Sequence, residues 1–475
     1  MKKNIALRHG IILIVFSAAI FLPELGNGFV HDDFLHLYTS GFHSFWDGFR
    51  CLSSGAFLTP LANLSFQMDW ILWGGTHSFL IGLDNLVLHI ATILLLYALS
   101  FRIWQSHYVA LWTAFGFSLL FPSNTWAILW IATRAHILVA FFYILTLYFV
   151  LCLARSERHK AAWITAVLAG TVCTIFSKEN GLTILLSVLI LLFYLKKFRL
   201  KKKITFSDYA LAGMILLVFI GYYFVRVKSG AIAISFDQQG WYSYSTHWKV
   251  LSENLLRYGW RTYGLLFIVA LAHFLKGYFQ GLRPRLGFIS KSEIFIPIML
   301  SVFALAPFLL MRGRSGIYSY LAGAFAALLL GAVLHSFEKS APEIRQKGSY
   351  FAWVPILIIF IVYTAFNHGY SSRWVTMKKT NTSVLNQIHT ALPDCDTHTY
   401  IVLYYAKMDR IHRFPEGLAW GFPYALRILY RDPTLDALLV KNGDPLPPVK
   451  NRPMVCFDSK AESGGIRIAK ITCNP

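Results

Sequence analysis

The sequence predicts an all-α polytopic membrane domain of about eleven transmembrane helices, followed by a small C-terminal α/β domain outside the membrane. Three observations lead there. First, the 475 residues are 56% hydrophobic and only 14% charged, whereas soluble domains carry about 25% charged residues. Second, apolar segments of the length that crosses a bilayer as a helix, about 17–25 residues, recur through the first three quarters of the chain. Third, beyond residue 369 this pattern gives way to short alternating segments. Residues 1–369 are therefore the transmembrane domain, and 370–475 a small extracytoplasmic domain.

The length criterion places spans at roughly 10–26, 79–101, 107–121, 126–153, 161–177, 181–195, 208–226, 256–275, 293–311, 316–336 and 350–367. The basic start and the apolar run Ile11–Leu22 look like a signal peptide. No small-x-small cleavage site follows and many spans do, so the segment reads as an uncleaved first helix.

Loop charges set the orientation. Lys2, Lys3 and Arg8, Arg102, Arg155, Arg158 and Lys160, the run "KKFRLKKK" (196–203), Lys276, Arg283, Arg285 and Lys291, and Lys339, Arg345 and Lys347 all fall at one set of span ends. The positive-inside rule makes that side cytoplasmic. An odd number of spans then puts the C-terminus outside, in the periplasm if the membrane is the expected bacterial inner membrane. The net charge of +21 is accounted for by these loops. No stretch interleaves aromatic and basic residues as a nucleic-acid surface would, so no nucleic-acid partner is expected.

Three regions fall on the outer face: the first loop, about 27–78, the loop 227–255, and the tail. In the tail, "THTYIVLYY" (397–405) reads as a buried strand and "GIRIAKI" (465–471) as a half-exposed one, with "FPYALRILY" (422–430) as a helix. The six cysteines contain no CxxC, so neither a zinc site nor a thioredoxin-like motif is indicated. Cys395, Cys456 and Cys473 would lie in an oxidising compartment, where one disulfide could form between a pair the sequence leaves open.

Charged residues at a membrane edge are costly and are functional candidates. The outer ends carry Asp32 and Asp33 in "GNGFVHDDFLHLY", Arg134 and His136 in "WIATRAHILVA", Lys178 and Glu179 in "FSKENG", Arg226 and Lys228 in "YYFVRVKSG", and Arg312 and Arg314 in "MRGRSGIYSY". Each alone has an ordinary explanation: a helix cap for the aspartates, snorkelling for Arg134, a turn ion pair for Lys178 and Glu179. Together they put carboxylates, which can act as a general base, on the same face as guanidinium and ammonium groups, which suit a phosphate. His89, inside the second span, reads as a packed core residue.

In this order the motifs resemble the GT-C glycosyltransferases, integral membrane enzymes that use polyprenyl-phosphate sugars. "FVHDDFLHL" is similar to the acidic motif that opens their first outer loop. Residues 59–99 resemble the corresponding segment of the TPR-containing transmembrane O-mannosyltransferases and their bacterial relatives, with Thr59 in place of an arginine and with Asn85 and His89 kept. "FSKENGLTILL" resembles the family's S-K-E turn. "RSGIYSYLAGA" resembles its E-R-Y-x-Y-L-P motif, with Arg314, Tyr318 and Tyr320 in register, Gly313 where the acid stands, and Ala322 in place of the proline. The resemblance covers most of residues 10–370 and stops short of the tail, which has no TPR array.

The resemblance implies a GT-C-like fold and an inverting transfer of sugar from a polyprenyl-phosphate donor to an acceptor hydroxyl on a protein, lipid or glycan. It implies that Asp32 or Asp33 is the base, with Asp32 preferred as the first acidic position of the motif. Arg134, Lys178, Arg226 and Arg314 would hold the donor phosphate, Glu179 would orient Lys178, and His136, Tyr318 and Tyr320 would support the site. No metal or other cofactor is expected. The competing expectation is a transporter or flippase. Charges gathered at one face rather than at mid-membrane, and the lack of paired interrupted spans, speak against it. A lipid-sugar ligase or polymerase is a third reading, disfavoured by the early position of the long outer loop.

Overall fold

The structure is a computed structural model that describes residues 2–26, 28–49, 57–120, 123–156, 158–231, 242–279, 291–340, 353–396, 399–406, 413–442, 444, 446, 452–462 and 465–473. Of the loop charges used for orientation, Arg283, Arg285, Arg345 and Lys347 lie outside these residues, as does much of the loop 227–255.

Seven described helices are long and apolar enough to cross a membrane: Ile5–Glu24, Ser78–Trp104, Ile131–Arg155, Lys160–Ser177, Glu179–Arg199, Phe206–Lys228 and Gly316–Ser336. They lie within helices α1 (Lys2–Phe21), α4 (Ser78–Trp104), α7 (Arg134–Arg155), α8 (Lys160–Ser177), α9 (Ile184–Tyr194), α10 (Phe206–Lys228) and α13 (Tyr320–Ser340), extended by short 3-10 or π turns. The other four predicted spans fall on helices of a different character. Helix α5 (His107–Ser118) has only 12 residues, too few for a bilayer core about 30 Å thick at 1.5 Å per residue. Helix α12 (Lys291–Leu309) contains two prolines, Pro297 and Pro307. Helices α11 (Trp248–Phe279) and α14 (Trp353–Ala391) run for 32 and 39 residues and carry many polar side chains. The predicted fourth span is broken: α6 (Ser123–Leu129) and a 3-10 turn at Ile131–Thr133 precede α7.

Local sequence explains the boundaries that place the site. Helix α2 (Asp33–Phe42) follows Asp32, whose side chain makes no capping hydrogen bond. Helix α3 (Pro60–Trp73) opens on a proline and closes on Gly74 in the left-handed region, the preferred end pair for a helix. Between α8 and α9 the chain breaks at Lys178, which is extended (φ −168°, ψ 150°). Gly181 in the following turn lies so close to the carbonyl oxygen of Thr174 that a Cβ there would collide with it.

Helix α14 continues past residue 369 without interruption and supports the C-terminal domain. That domain is a four-stranded sheet in the order β2-β1-β3-β4, from β1 (Tyr400–Tyr405), β2 (Asp436–Lys441), β3 (Met454–Glu462) and β4 (Gly465–Ile471). Strand β1 is parallel to β2 and β3, and β4 is antiparallel to β3. Helix α15 (Phe422–Tyr430) makes the crossover from β1 to β2 that a parallel pair requires. The disulfide joins Cys456 to Cys473, and Cys395 is free.

Two cores meet at the first loop. The larger fills the helix bundle, and the smaller joins Phe34 of α2 to Val384 and Ile388 of α14, Leu403 of β1, Phe422 of α15 and Phe457 of β3. The loop that carries the aspartates is thus clamped between bundle and sheet domain. At Gly421 a Cβ would strike the carbonyl oxygen of His31, and Asn381 of α14 donates to the carbonyl oxygens of Phe29 and Gly417, both at 2.9 Å.

Candidate active site

The two adjacent aspartates occupy different environments. Asp33 is fully buried. Its Oδ2 accepts from the backbone N–H of Val30 at 3.0 Å and its Oδ1 from that of Ala132 at 2.7 Å. Burial pushes its carboxyl up, to about 7, against the nearby Lys378 ammonium and the two N–H donors, which favour the charged form. Asp33 therefore ties the first loop to the turn that precedes α7. Asp32 is only partly buried. Burial raises its carboxyl from the ordinary carboxylate range, and the charge of Lys178 opposes that rise.

Lys178 is the centre of the basic side. Its Nζ lies 4.4 Å from the centroid of the Phe57 ring, and that ring meets Tyr242 edge-on at 4.7 Å. Burial lowers the Lys178 ammonium, opposed by Glu179 and Asp32. Glu179 accepts from Arg226 Nη1 at 2.7 Å and also from the backbone N–H of Leu58. One carboxylate so joins α10, the turn after α8 and the end of the first loop.

His136 packs 5.8 Å from Tyr318, which stacks face to face on Phe308 at 4.4 Å. Tyr258 of α11, 6.4 Å from Tyr318, lies in the field of Arg257, Arg261 and Arg314. Arg314 donates to Asn254 Oδ1 at 2.9 Å and pairs with Glu253. Asp32, Lys178, Glu179 and Arg226 form one group and His136, Tyr318 and Arg314 a second, and the charge of Lys178 reaches His136.

Arg134 and Tyr320 are engaged by other partners, although the charge of Arg134, like that of Lys178, reaches His36. Arg134 is buried and turned inward: Nε donates to Asn85 Oδ1 at 2.6 Å, Nη2 to the Ile81 carbonyl at 2.9 Å, and Nη1 pairs with Asp69 at 2.5 Å. Its guanidinium lies over Phe66 at 4.5 Å. These partners make Arg134 a brace between α3, α4 and α7. Tyr320 is fully buried and bonded through its hydroxyl to His89 Nδ1 at 2.7 Å, so both rings belong to the bundle core.

Four residues that sequence reasoning misses belong near the site. His36, one turn after Asp32, stacks on Phe66 at 4.9 Å. Burial and the charges of Lys178 and Arg134 lower its imidazole to about 4, which keeps it neutral at pH 7. Lys378 faces Asp33 from α14. Arg257 and Arg261 project from α11 at a spacing of one helical turn, and Arg261 Nη1 is buried without a hydrogen-bond partner among the described residues. The signal for that pair is present, because two arginines four apart inside an apolar stretch demand an explanation. No signal announces Lys378, which comes from 345 positions further along the chain (378 − 33). Among the described residues, no group of three or more His, Cys, Asp or Glu side chains is placed to hold a metal ion.

The architecture defines a class. Seven described helices long and apolar enough to cross a membrane, an acidic first loop folded against their bundle and a small C-terminal sheet domain make an integral, multi-pass membrane fold, and solved structures of low sequence identity share it. The structure aligns with ArnT from Cupriavidus metallidurans, solved bound to undecaprenyl phosphate, at a TM-score of 0.51 and 13% identity over 94% of this chain and 92% of that one. It aligns with the archaeal oligosaccharyltransferase AglB from Archaeoglobus fulgidus, solved with an inhibitory peptide and a dolichol-phosphate, at a TM-score of 0.51 and 14% identity. That alignment takes in 92% of this chain but spans only 64% of AglB. The apo form of the same oligosaccharyltransferase gives a TM-score of 0.52. No protein-family model and no curated protein matches the sequence.

Proposed function

We propose that the protein is a membrane glycosyltransferase that moves a sugar from a polyprenyl-phosphate donor to an acceptor hydroxyl at the membrane face bearing the first loop. The observation that carries this reading is a partly accessible carboxylate, Asp32, lying in the field of the Lys178 ammonium on a scaffold shared with prenyl-phosphate-bound structures. Two structures of similar fold hold a prenyl phosphate, which supports the donor class.

In this mechanism Asp32 accepts the proton of the acceptor hydroxyl as its oxygen attacks the anomeric carbon. The bond from that carbon to the phosphate oxygen breaks, and the electron pair leaves with the polyprenyl phosphate. Attack opposite the leaving group inverts the anomeric centre. Lys178, Arg226 and Arg314 stabilise the phosphate charge as it grows, a kind of electrostatic stabilisation that is usually the largest single contribution to catalysis. Glu179 orients Lys178 and Arg226, and Asp33 holds the loop. His136 and Tyr318 line the approach, while Arg134 and Tyr320 support it through packing. The acceptor is a hydroxyl of a protein, lipid or glycan. In this reading the membrane is a bacterial inner membrane, with the N-terminus cytoplasmic and the C-terminal domain periplasmic.

The test is transfer by the purified protein in liposomes from a panel of polyprenyl-phosphate sugars to a membrane extract, with Asp32→Asn and Asp33→Asn in parallel. Loss of transfer in a folded Asp32→Asn protein supports the assignment. Undiminished transfer in both variants rejects an aspartate base. No transfer from any donor, with substrate flux instead, favours a transporter.

A further inference from the structure

A cavity of about 230 Å³ lies at the end of the bundle opposite the acidic loop. Its walls come from the last turns of α4, α7 and α9 and from α12 and α13, and most are leucine and isoleucine. Two further features make it more than a packing gap. Arg155 and Arg199 stand at its edge as exposed side chains, and Arg155 also lies in the field of Arg102. Trp104 lines the wall, buried, and its indole Nε1 has no hydrogen-bond partner among the described residues. A buried N–H left without an acceptor is costly, so a ligand that supplies one is favoured there.

Backbone geometry adds to this. Helix α9 ends in a π turn, Leu195–Arg199, which carries both Leu195 and Arg199 to the cavity. The neighbouring Lys196 does not compete for a ligand, because it is buried against Asp208 at 2.7 Å.

We propose that this cavity binds an anionic phospholipid. One acyl chain enters between the leucine walls, the ester or glycerol oxygens accept from Trp104 Nε1, and the phosphate meets Arg155 and Arg199. Apolar walls under guanidinium groups match a lipid whose head is negative and whose tail is hydrocarbon. A free phosphate would leave the walls unfilled, and a zwitterionic lipid would set a second positive charge beside the arginines. The site is separate from the proposed donor site, which is built on the starts of α2, α7 and α9.

The experiment is native mass spectrometry of the purified full-length chain in detergent, titrated with phosphatidylglycerol and phosphatidylcholine of the same acyl chains. Retention of phosphatidylglycerol should be roughly tenfold stronger, as expected for one charge-assisted contact. Arg155→Gln with Arg199→Gln should abolish the preference, and Trp104→Phe should weaken phosphatidylglycerol binding while the wall is preserved. Leu151→Trp, which fills the cavity, should expel the lipid, and it serves should the arginine pair prove needed for folding. Equal retention of both lipids by the wild type overturns the proposal. So does a preference that survives Leu151→Trp, or equally tight binding of glycerol 3-phosphate without acyl chains.

Discussion

Arg226 donates to Glu179 across 2.7 Å, and that ion pair couples α10 to the chain break that carries Lys178. Both side chains are about one-fifth exposed, so the pair is neither a screened surface contact nor a dry buried one. Glu179→Gln should weaken the hold on Lys178 and on Arg226 together. We expect KM for the donor to rise roughly tenfold, from loss of one hydrogen bond to a charged group, with little change in thermal stability. Steady-state kinetics against donor concentration measures this. A fall in kcat at constant KM would instead place Glu179 in the chemical step.

The two aspartates should separate by phenotype. Asp32→Asn removes the proposed base and should lower kcat by about 10²–10⁴ without changing the melting temperature. Asp33→Asn replaces one acceptor oxygen with an amide donor facing a backbone N–H. That mismatch should cost about 1–3 kcal/mol of stability, read by thermal denaturation in detergent. An Asp33→Asn protein as stable as wild type would contradict the clamp that Val30 and Ala132 define.

Transfer should depend on pH through Asp32. Burial raises this carboxyl, so the base is lost as pH falls through a value above 3.8, its ordinary one. The Lys178 charge opposes the rise. Removing that charge in Lys178→Gln should therefore move the acid limb of the kcat/KM profile to higher pH. An acid limb that moves down, or stays, would show that another group titrates.

Arg134 should behave as a structural residue of unusual weight. Arg134→Ala would leave the buried Asp69 carboxylate without its cationic partner, a change that costs about 3–5 kcal/mol and should lower expression and melting temperature. Arg134→Lys should rescue little, because an ammonium cannot serve Asn85, Ile81 and Asp69 in the fork geometry that the guanidinium uses. Near-normal stability in Arg134→Ala with a donor-binding defect would return Arg134 to the phosphate site.

Much of the fold is legible in the amino-acid sequence. Strand β4 coincides with "GIRIAKI", and helix α15 with "FPYALRILY". Alternation and helical periodicity are local properties, and side chains two, three or four apart report them directly. The acidic loop and the SKEN turn can be recognised because each is a short contiguous segment. Hydropathy leaves the number of spans open at α5 and α6, short apolar helices that are mostly buried inside the protein. Hydropathy cannot distinguish that environment from lipid.

What the sequence by itself determined is the class: apolar runs of bilayer length dictate membrane helices, because every buried backbone group must bond within its own segment. It also determined that charges gather at one set of helix ends. Only the tertiary structure decided which charges meet. Asp32 and Asp33 are neighbours of the same type, and nothing local distinguishes them. Once folded, Asp33 accepts from Val30 three residues back, from Ala132 nearly a hundred residues on, and lies in the field of Lys378 on α14. Arg134, like Arg226, is an arginine expected at the outer end of a span, and differs because Asp69 and Asn85 close around it. A side chain's role follows from its partners, and partners drawn from distant segments exist only once the chain has folded.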